Sequence, residues 1–218
     1  MTGRPTRRTP QRKYRDYRRY KSWLREDFGH RCGYCQIHEI HHGGDWHFQV
    51  DHFRPKSRPE FLHLACEYSN LLYSCDHCNN MKRDLWPSDQ PLVDGIGWLD
   101  PCDHDLADHY YYGFRDEAFE LVCVTKIGRW MALTLGLDQP ARISRRRILA
   151  EEERVDQQTV ITLRQLLDKL ISKNDAETDP EIFVTIEEII RKLDKKTASI
   201  QKRYESMPME KLRLTRLE

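Results

Sequence analysis

No apolar run in this chain approaches the roughly 18 residues that a membrane-spanning helix needs, and its first residues are basic and polar rather than signal-like. We therefore expect a cytoplasmic protein and no membrane partner. A surplus of charge is also missing. The formal net charge is +1, so the molecule as a whole is not a polycation. There is no internal repeat and no low-complexity block, which argues against a solenoid or a disordered scaffold. An even set of cysteines is absent too. There are seven, and in an intracellular chain an odd number favours metal or redox chemistry over a secreted disulfide framework.

What is present suits a protein of ordinary size. A length of 218 residues fits one domain, or a small catalytic module with helical additions. Hydrophobic residues make up 39% and charged residues 33%, enough for a modest core. The charge is unevenly placed. Arg4, Arg7, Arg8, Arg12, Lys13, Arg15, Arg18, Arg19 and Lys21 are opposed before residue 22 by Asp16 alone. Such an arm can neutralise phosphates and release their counterions, and it can equally be a solvated tail.

Four segments follow from composition and periodicity. Residues 1–28 form a basic arm and helix. Residues 1–10, with Gly3, Pro5 and Pro10, are expected to be disordered, and a helix is expected over Gln11–Phe28 with Tyr17, Tyr20, Leu24 and Phe28 on one face, ended by Gly29. Residues 29–87 form a core mixing cysteine, histidine and asparagine. Strands are expected at Gln49–Phe53 and Leu71–Ser74, with a helix from about Asp76 past Lys82 to Pro87. Residues 88–140 read as a loop-rich extension with a candidate hairpin, Tyr110–Phe114 against Phe119–Val124 across Arg115, Asp116 and Glu117. Residues 141–218 read as helical. One helix is expected over Ser144–Ser172, with apolar positions Ile148, Val155, Leu163, Leu166, Leu167 and Leu170. Another starts at Asp179-Pro180 and carries Ile182, Phe183, Ile186, Ile189, Ile190 and Leu193.

Cys32-Gly33-Tyr34-Cys35 and Cys75-Asp76-His77-Cys78 each present two sulfurs from one tight turn. Together they can close a tetrahedral shell around a structural Zn²⁺ with no open position. The 39 residues between them exceed zinc-ribbon spacing, so something sizeable must fold inside the staple. A thioredoxin-like redox pair would need a βαβ context and does not come in twos. Four unrelated core thiols would not be so spaced.

Inside the staple lies Val50-Asp51-His52-Phe53-Arg54-Pro55-Lys56-Ser57, then Asn70-Leu71-Leu72, and after the last cysteine Asn79 and Lys82. In this order the elements resemble the zinc-containing branch of the HNH, or ββα-metal, endonucleases over Cys32–Lys82. The resemblance implies an α+β fold, a small zinc-stapled ββα core with an N-terminal helix and a helical C-terminal region. It also implies hydrolysis of phosphodiester bonds in nucleic acid, DNA being favoured and RNA a second candidate. His52 would be the general base, since neutral imidazole has a pKa near working pH. Asp51 and Asn79 would supply oxygen ligands to a catalytic Mg²⁺ or Mn²⁺; the family often has His where Asn79 stands. Asn70 would fix the His52 ring or its loop. Arg54, Lys56, Lys82 and Arg83 are candidate phosphate contacts, although surface cations are usually just solvated.

A wider stretch, reaching about Cys32–Arg147, is similar to the HNH subunit of Septu-type anti-phage systems. It adds Asn70-Leu71-Leu72-Tyr73-Ser74-Cys75, Leu99-Asp100-Pro101-Cys102 with His109, and Gly128-Arg129-Trp130 leading into Leu135-Gly136-Leu137. The chain departs from that group in reading Leu137-Asp138 where Leu-Asn is usual. This resemblance implies an ATPase partner docked on the helical C-terminal region. The competing class of function is a non-catalytic zinc-finger module that binds nucleic acid; it leaves Asp51, His52 and Asn79 without a role. His38, His41, His42 and His47 are read as loop residues, Cys66 as a core thiol. Cys102, His104 and His109 lack a recognisable ligand spacing for a second metal.

Overall fold

The computed structural model describes residues 4–112, 121–173 and 180–206. These form two compact units, one running to Ile143 and the other covering Ser144–Glu205.

The first unit is built on a two-stranded antiparallel sheet. Strand β1, Phe48–His52, pairs with β2, Leu71–Cys75, in a register that sets Phe48 opposite Cys75, Val50 opposite Tyr73 and His52 opposite Leu71. Every residue of β2 is buried. A strand covered on both faces reads as a continuous apolar run rather than an alternation, as Leu71-Leu72-Tyr73 does. Helix α1, Lys21–Asp27, packs against it, contributing Leu24 to a core shared with Tyr20, Phe28, Phe48 and Trp98. Helix α2, Asp76–Lys82, follows β2 directly and completes a strand, strand, helix unit.

The N-terminal expectations need correction. Residues 4–10 are docked. Arg7 places its guanidinium on the Asp100 carboxylate at 2.9 and 3.1 Å and on the Leu71 carbonyl at 3.1 Å, and Arg8 bonds Asp27 and Glu26. The long helix expected from Gln11 is confined to α1 and a preceding 3-10 turn, Tyr17–Tyr20, capped by Asp16. The cause is that Tyr14 folds back: its N–H donates to the Tyr20 hydroxyl at 2.8 Å and its ring packs on Tyr20 and Trp23. The aromatic spacing is thus satisfied by a reversal rather than by helical turns. Similarly, α2 stops at Lys82, short of Pro87. Arg83 leaves the helix at φ +50°, and Trp98 Nε1 then pins the Leu85 carbonyl at 2.6 Å.

Past this core, a short helix α3, Pro91–Asp94, precedes strands β3, Tyr110–Tyr112, and β4, Leu121–Cys123, which pair antiparallel with Tyr110 opposite Cys123. The turn expected at Arg115–Glu117 lies outside the described residues. Helix α4, Lys126–Thr134, was not anticipated; it buries Ile127 and Met131, with Leu135 and Leu137 beyond its end. Gly128 in its first turn is what hides it from a propensity reading. A Cβ there would stand 2.0 Å from the His109 carbonyl oxygen, which already accepts the Val124 N–H at 2.8 Å.

Helix α5, Pro140–Lys173, begins in the first unit and runs into the second, and α6, Pro180–Ser206, follows. Within the second unit Asp156 of α5 is ion-paired with Lys196 of α6, while Ile186 and Leu193 are buried. Of the apolar positions expected on α5, Ile148, Val155 and Leu166 are exposed, as is Ile190 on α6. Leu163, Leu167 and Ile189 are half-buried. Side chains of Leu170, Ile182 and Phe183 lie outside the described set.

The segment after Cys35 is tied to α1 by Glu39. Its buried carboxylate accepts from Arg25, from Tyr73 Oη at 2.7 Å and from His30 Nδ1 at 3.1 Å. Beside it, His38 Nδ1 accepts the Ile40 N–H at 3.1 Å, which requires a neutral ring. Burial, with the nearby Arg31 charge, pushes its pKa down to about 4.

Two outcomes are expected. Gly128→Ala should destabilise the fold by about 1–3 kcal/mol in urea unfolding, although alanine is the better helix former, because the added methyl has no room. A folded-state pKa below the unfolded 6.5 means that His38 supports the fold above pH 6.5 and loses that contribution as pH falls toward 4. Wild type should therefore lose melting temperature between pH 7 and 5 more steeply than His38→Gln, whose amide oxygen can still accept the Ile40 N–H.

Candidate active site

Four thiols meet where the two tight turns converge. The sulfurs of Cys32, Cys35, Cys75 and Cys78 are buried and all lie within 4.8 Å of one another. Cys35 and Cys75 sulfurs are 3.8 Å apart. The turns are held by backbone as well: Gly33 N–H donates to the Tyr73 carbonyl at 2.7 Å, and Cys75 Sγ accepts the Cys78 N–H at 3.4 Å at the start of α2. The four groups cannot ionise together without a cation. Cys35 is pushed well below the usual thiol range by bonds from the other three sulfurs, while burial and the neighbouring sulfurs push Cys78 well above it. A set of four thiols that favours one thiolate and penalises the next fits Zn²⁺, whose double charge stabilises them all.

Asp51 and His52, adjacent on β1, diverge. The Asp51 carboxylate is buried, with the Tyr34 hydroxyl donating to Oδ2 at 2.5 Å and the Lys82 ammonium 3.2 Å from the same oxygen. Lys82 is itself completely buried and also donates to the His52 carbonyl at 2.7 Å. Lys82 was expected among surface phosphate contacts. It is instead the counter-charge of Asp51, because an ionised carboxylate this deep needs a partner.

His52 is directed elsewhere. Its Nε2 lies 2.9 Å from the Ala65 carbonyl. A carbonyl can only accept, so Nε2 carries the proton and Nδ1 keeps its lone pair. Burial lowers its pKa below the ordinary 6.5, the Ala65 bond opposing this in part. The Tyr17 ring meets the imidazole edge-on, 4.5 Å between centroids, and the Lys56 ammonium sits 4.0 Å from the Tyr17 centroid. Asn70 does not touch the ring. It clasps the loop after β1, its Oδ1 accepting the Arg54 N–H at 2.9 Å and its Nδ2 donating to the Arg54 carbonyl at 3.1 Å.

Asn79 stands one helical turn before Lys82 on α2. Its Nδ2 donates to Gln49 Oε1 at 2.7 Å, which leaves the amide oxygen without a hydrogen bond among the described residues. Gln49 and Asp51 alternate onto one side of β1, the side α2 covers. Asn79 Oδ1 and Asp51 Oδ1, the latter 3.5 Å from Lys82 Nζ, are therefore hard oxygens on one seam, a donor type that Mg²⁺ and Mn²⁺ take. Arg54 is exposed over Phe61 and Trp86, and Arg83 is exposed at the helix end. Among the described residues no metal-holding group includes Cys102, His104 or His109. Cys66 is half-buried and donates to the Arg15 carbonyl at 2.9 Å.

Residues 32–85 match the HNH endonuclease family model. The match takes in both cysteine pairs, Asp51, His52 and Asn79. Over 204 residues the chain is 26% identical to the Septu protein PtuB of Bacillus mycoides (strain KBAB4), a likeness covering 80% of this chain and 65% of that protein. The chain thus spans about two thirds of the length of the curated relative it matches. No solved structure matches. The HNH segment, the four-cysteine cluster and the mixture of helices with small sheets agree with the α+β, zinc-stapled core expected from sequence.

Tyr34, Tyr17 and Gln49 took no part in the sequence reading. Tyr34 stands inside the first cysteine pair, and no spacing rule connects it to Asp51 across the fold. Tyr17 had been read only as one residue on a helical face.

The Asp51–Lys82 pair yields a stability test. Lys82→Met should cost about 3–5 kcal/mol at neutral pH, because it leaves a buried carboxylate without its cation. Asp51→Asn combined with Lys82→Met should cost less than the two single changes added together in urea unfolding. Strict additivity would mean that the pair does not interact.

Proposed function

We propose that this chain is an HNH endonuclease that hydrolyses phosphodiester bonds of nucleic acid, with DNA the favoured substrate. The supporting observation is His52: a buried, neutral imidazole whose Nε2 is fixed on a backbone carbonyl, within a segment that matches the HNH model. Nδ1 is then the atom that takes a proton from the attacking water. Asn70 keeps the following loop in place, which sets where Arg54 and Lys56 stand relative to the base.

Zn²⁺ in the four-cysteine cluster would be structural. Asp51 and Asn79 are the residues that would hold a catalytic Mg²⁺ or Mn²⁺, which supplies neutralisation of the scissile phosphate and of the departing oxygen. Exposed cations bear on the substrate. Arg12, Lys13, Arg15, Arg18 and Arg19 remain at the surface while Arg7 and Arg8 are engaged within the fold, and Tyr17 brings this stretch against His52. With Arg54, Lys56 and Arg83 they offer phosphate contacts that carry no base specificity.

The likeness to a Septu PtuB protein supports a place in an anti-phage defence system in the cytoplasm, and the Septu resemblance supports an ATPase partner. The exposed apolar side chains of α5 and α6, Ile148, Val155, Leu166 and Ile190, give the helical region a surface on which such a partner would dock.

His52→Ala tests the reading. In the complex with its partner, it should lower divalent-metal-dependent plasmid cleavage by about 10²-fold or more, the scale of lost general-base catalysis. Nucleic-acid binding should persist within about twofold. Undiminished cleavage would overturn the assignment. Binding by wild type with no cleavage under any metal would favour the zinc-finger module.

A further inference from the structure

A second group of metal-ligand side chains stands beside the cysteine cluster, with no part in the proposed hydrolysis. Asp76, in the first turn of α2, is held between two imidazoles. His42 Nε2 lies 2.7 Å from Oδ1, and His47 Nδ1 lies 2.9 Å from Oδ2. The donor atoms of His42 and Asp76 lie within 4.8 Å of each other and of Cys75 Sγ, but that sulfur belongs to the four-thiol set. All three side chains reach solvent, at 27% exposure for His42, 33% for Asp76 and 53% for His47.

The backbone is shaped for this convergence. Gly43 and Gly44, at φ +83° and +88°, reverse the chain between the two histidines. A Cβ on Gly43 would stand 2.5 Å from His47 Cδ2, so only glycine admits the imidazole at this position.

The geometry points to a second, exchangeable metal site formed by His42 Nε2, His47 Nδ1 and the Asp76 carboxylate, taking a divalent transition ion such as Zn²⁺, Co²⁺ or Ni²⁺. Two imidazoles and one carboxylate suit these ions better than Mg²⁺, which prefers oxygen ligands alone. Three protein donors leave coordination positions for solvent, in contrast to the closed cysteine shell. Binding replaces the two N–H···O bonds to Asp76 with metal–nitrogen and metal–oxygen bonds, each imidazole coordinating through the nitrogen that now faces the carboxylate. The inference stands independently of the nuclease reading, because its test reads metal rather than cleavage.

The test is a Co²⁺ titration of the full-length protein with elemental analysis and visible absorption. Two equivalents should bind. The tight one should show thiolate-to-cobalt charge transfer, and the weaker one should be removed by a mild chelator that leaves the first in place. His47→Gln, at a half-exposed position where the fold tolerates change, should weaken the second equivalent by at least about tenfold, the loss seen when a group merely supporting a ligand is removed. The His42→Gln/His47→Gln double variant should abolish it, with the thiolate absorption retained as the sign of an intact fold. A single equivalent in wild type would overturn the proposal and leave Asp76 as a hydrogen-bonded staple. Retention of both equivalents in the double variant would also overturn it.

Discussion

The meeting of Cys32, Cys35, Cys75 and Cys78 is the constraint from which the rest of the core takes its positions. Cys75 is at once the last residue of β2, a member of the thiol cluster and the N-cap of α2, so strand, cluster and helix cannot move separately. The first cysteine pair is joined to β2 through the Gly33–Tyr73 backbone bond, and Tyr34 within it reaches Asp51. A unit of two five-residue strands and a seven-residue helix has little apolar area with which to hold such an arrangement. A cation binding the folded thiols and not the unfolded chain adds its binding free energy to folding.

On this frame two adjacent residues acquire opposite surroundings. Asp51 goes into the interior and is tolerated there because Lys82 and Tyr34 satisfy it. His52 goes to the other side, where a carbonyl fixes one nitrogen and leaves the other with its lone pair. Lys82 joins the two sides, since one ammonium touches both the Asp51 carboxylate and the His52 carbonyl. The position of the base and the neutralisation of the neighbouring acid are thus mechanically coupled through a buried lysine.

The basic arm shows a related division. Arg7 and Arg8 are anchors, locking the start of the chain to Asp100, Asp27 and the Leu71 carbonyl. The cations after them stay exposed, and Tyr17 brings their stretch to the His52 edge. An arm read as a tail therefore contributes to the wall of the candidate site.

Sequence alone determined the cysteine staple, both strands of the core within a residue, the helix following Cys75 and the positions of Asp51, His52, Asn70 and Asn79. These depend on local spacing, on short apolar runs and on motif order, all of which survive in one dimension. Tertiary structure decided that Lys82 is buried, that Tyr34 and Tyr17 flank the acid and the base, that the first ten residues are partly docked, and that Gly128 lies inside a helix. Each of these turns on a partner far away in the chain: a carboxylate that needs a counter-charge, a ring that needs a neighbour, a carbonyl that leaves no space for a methyl. Desolvation and close contact act between residues brought together by folding, and no periodicity in the chain records which residues those will be.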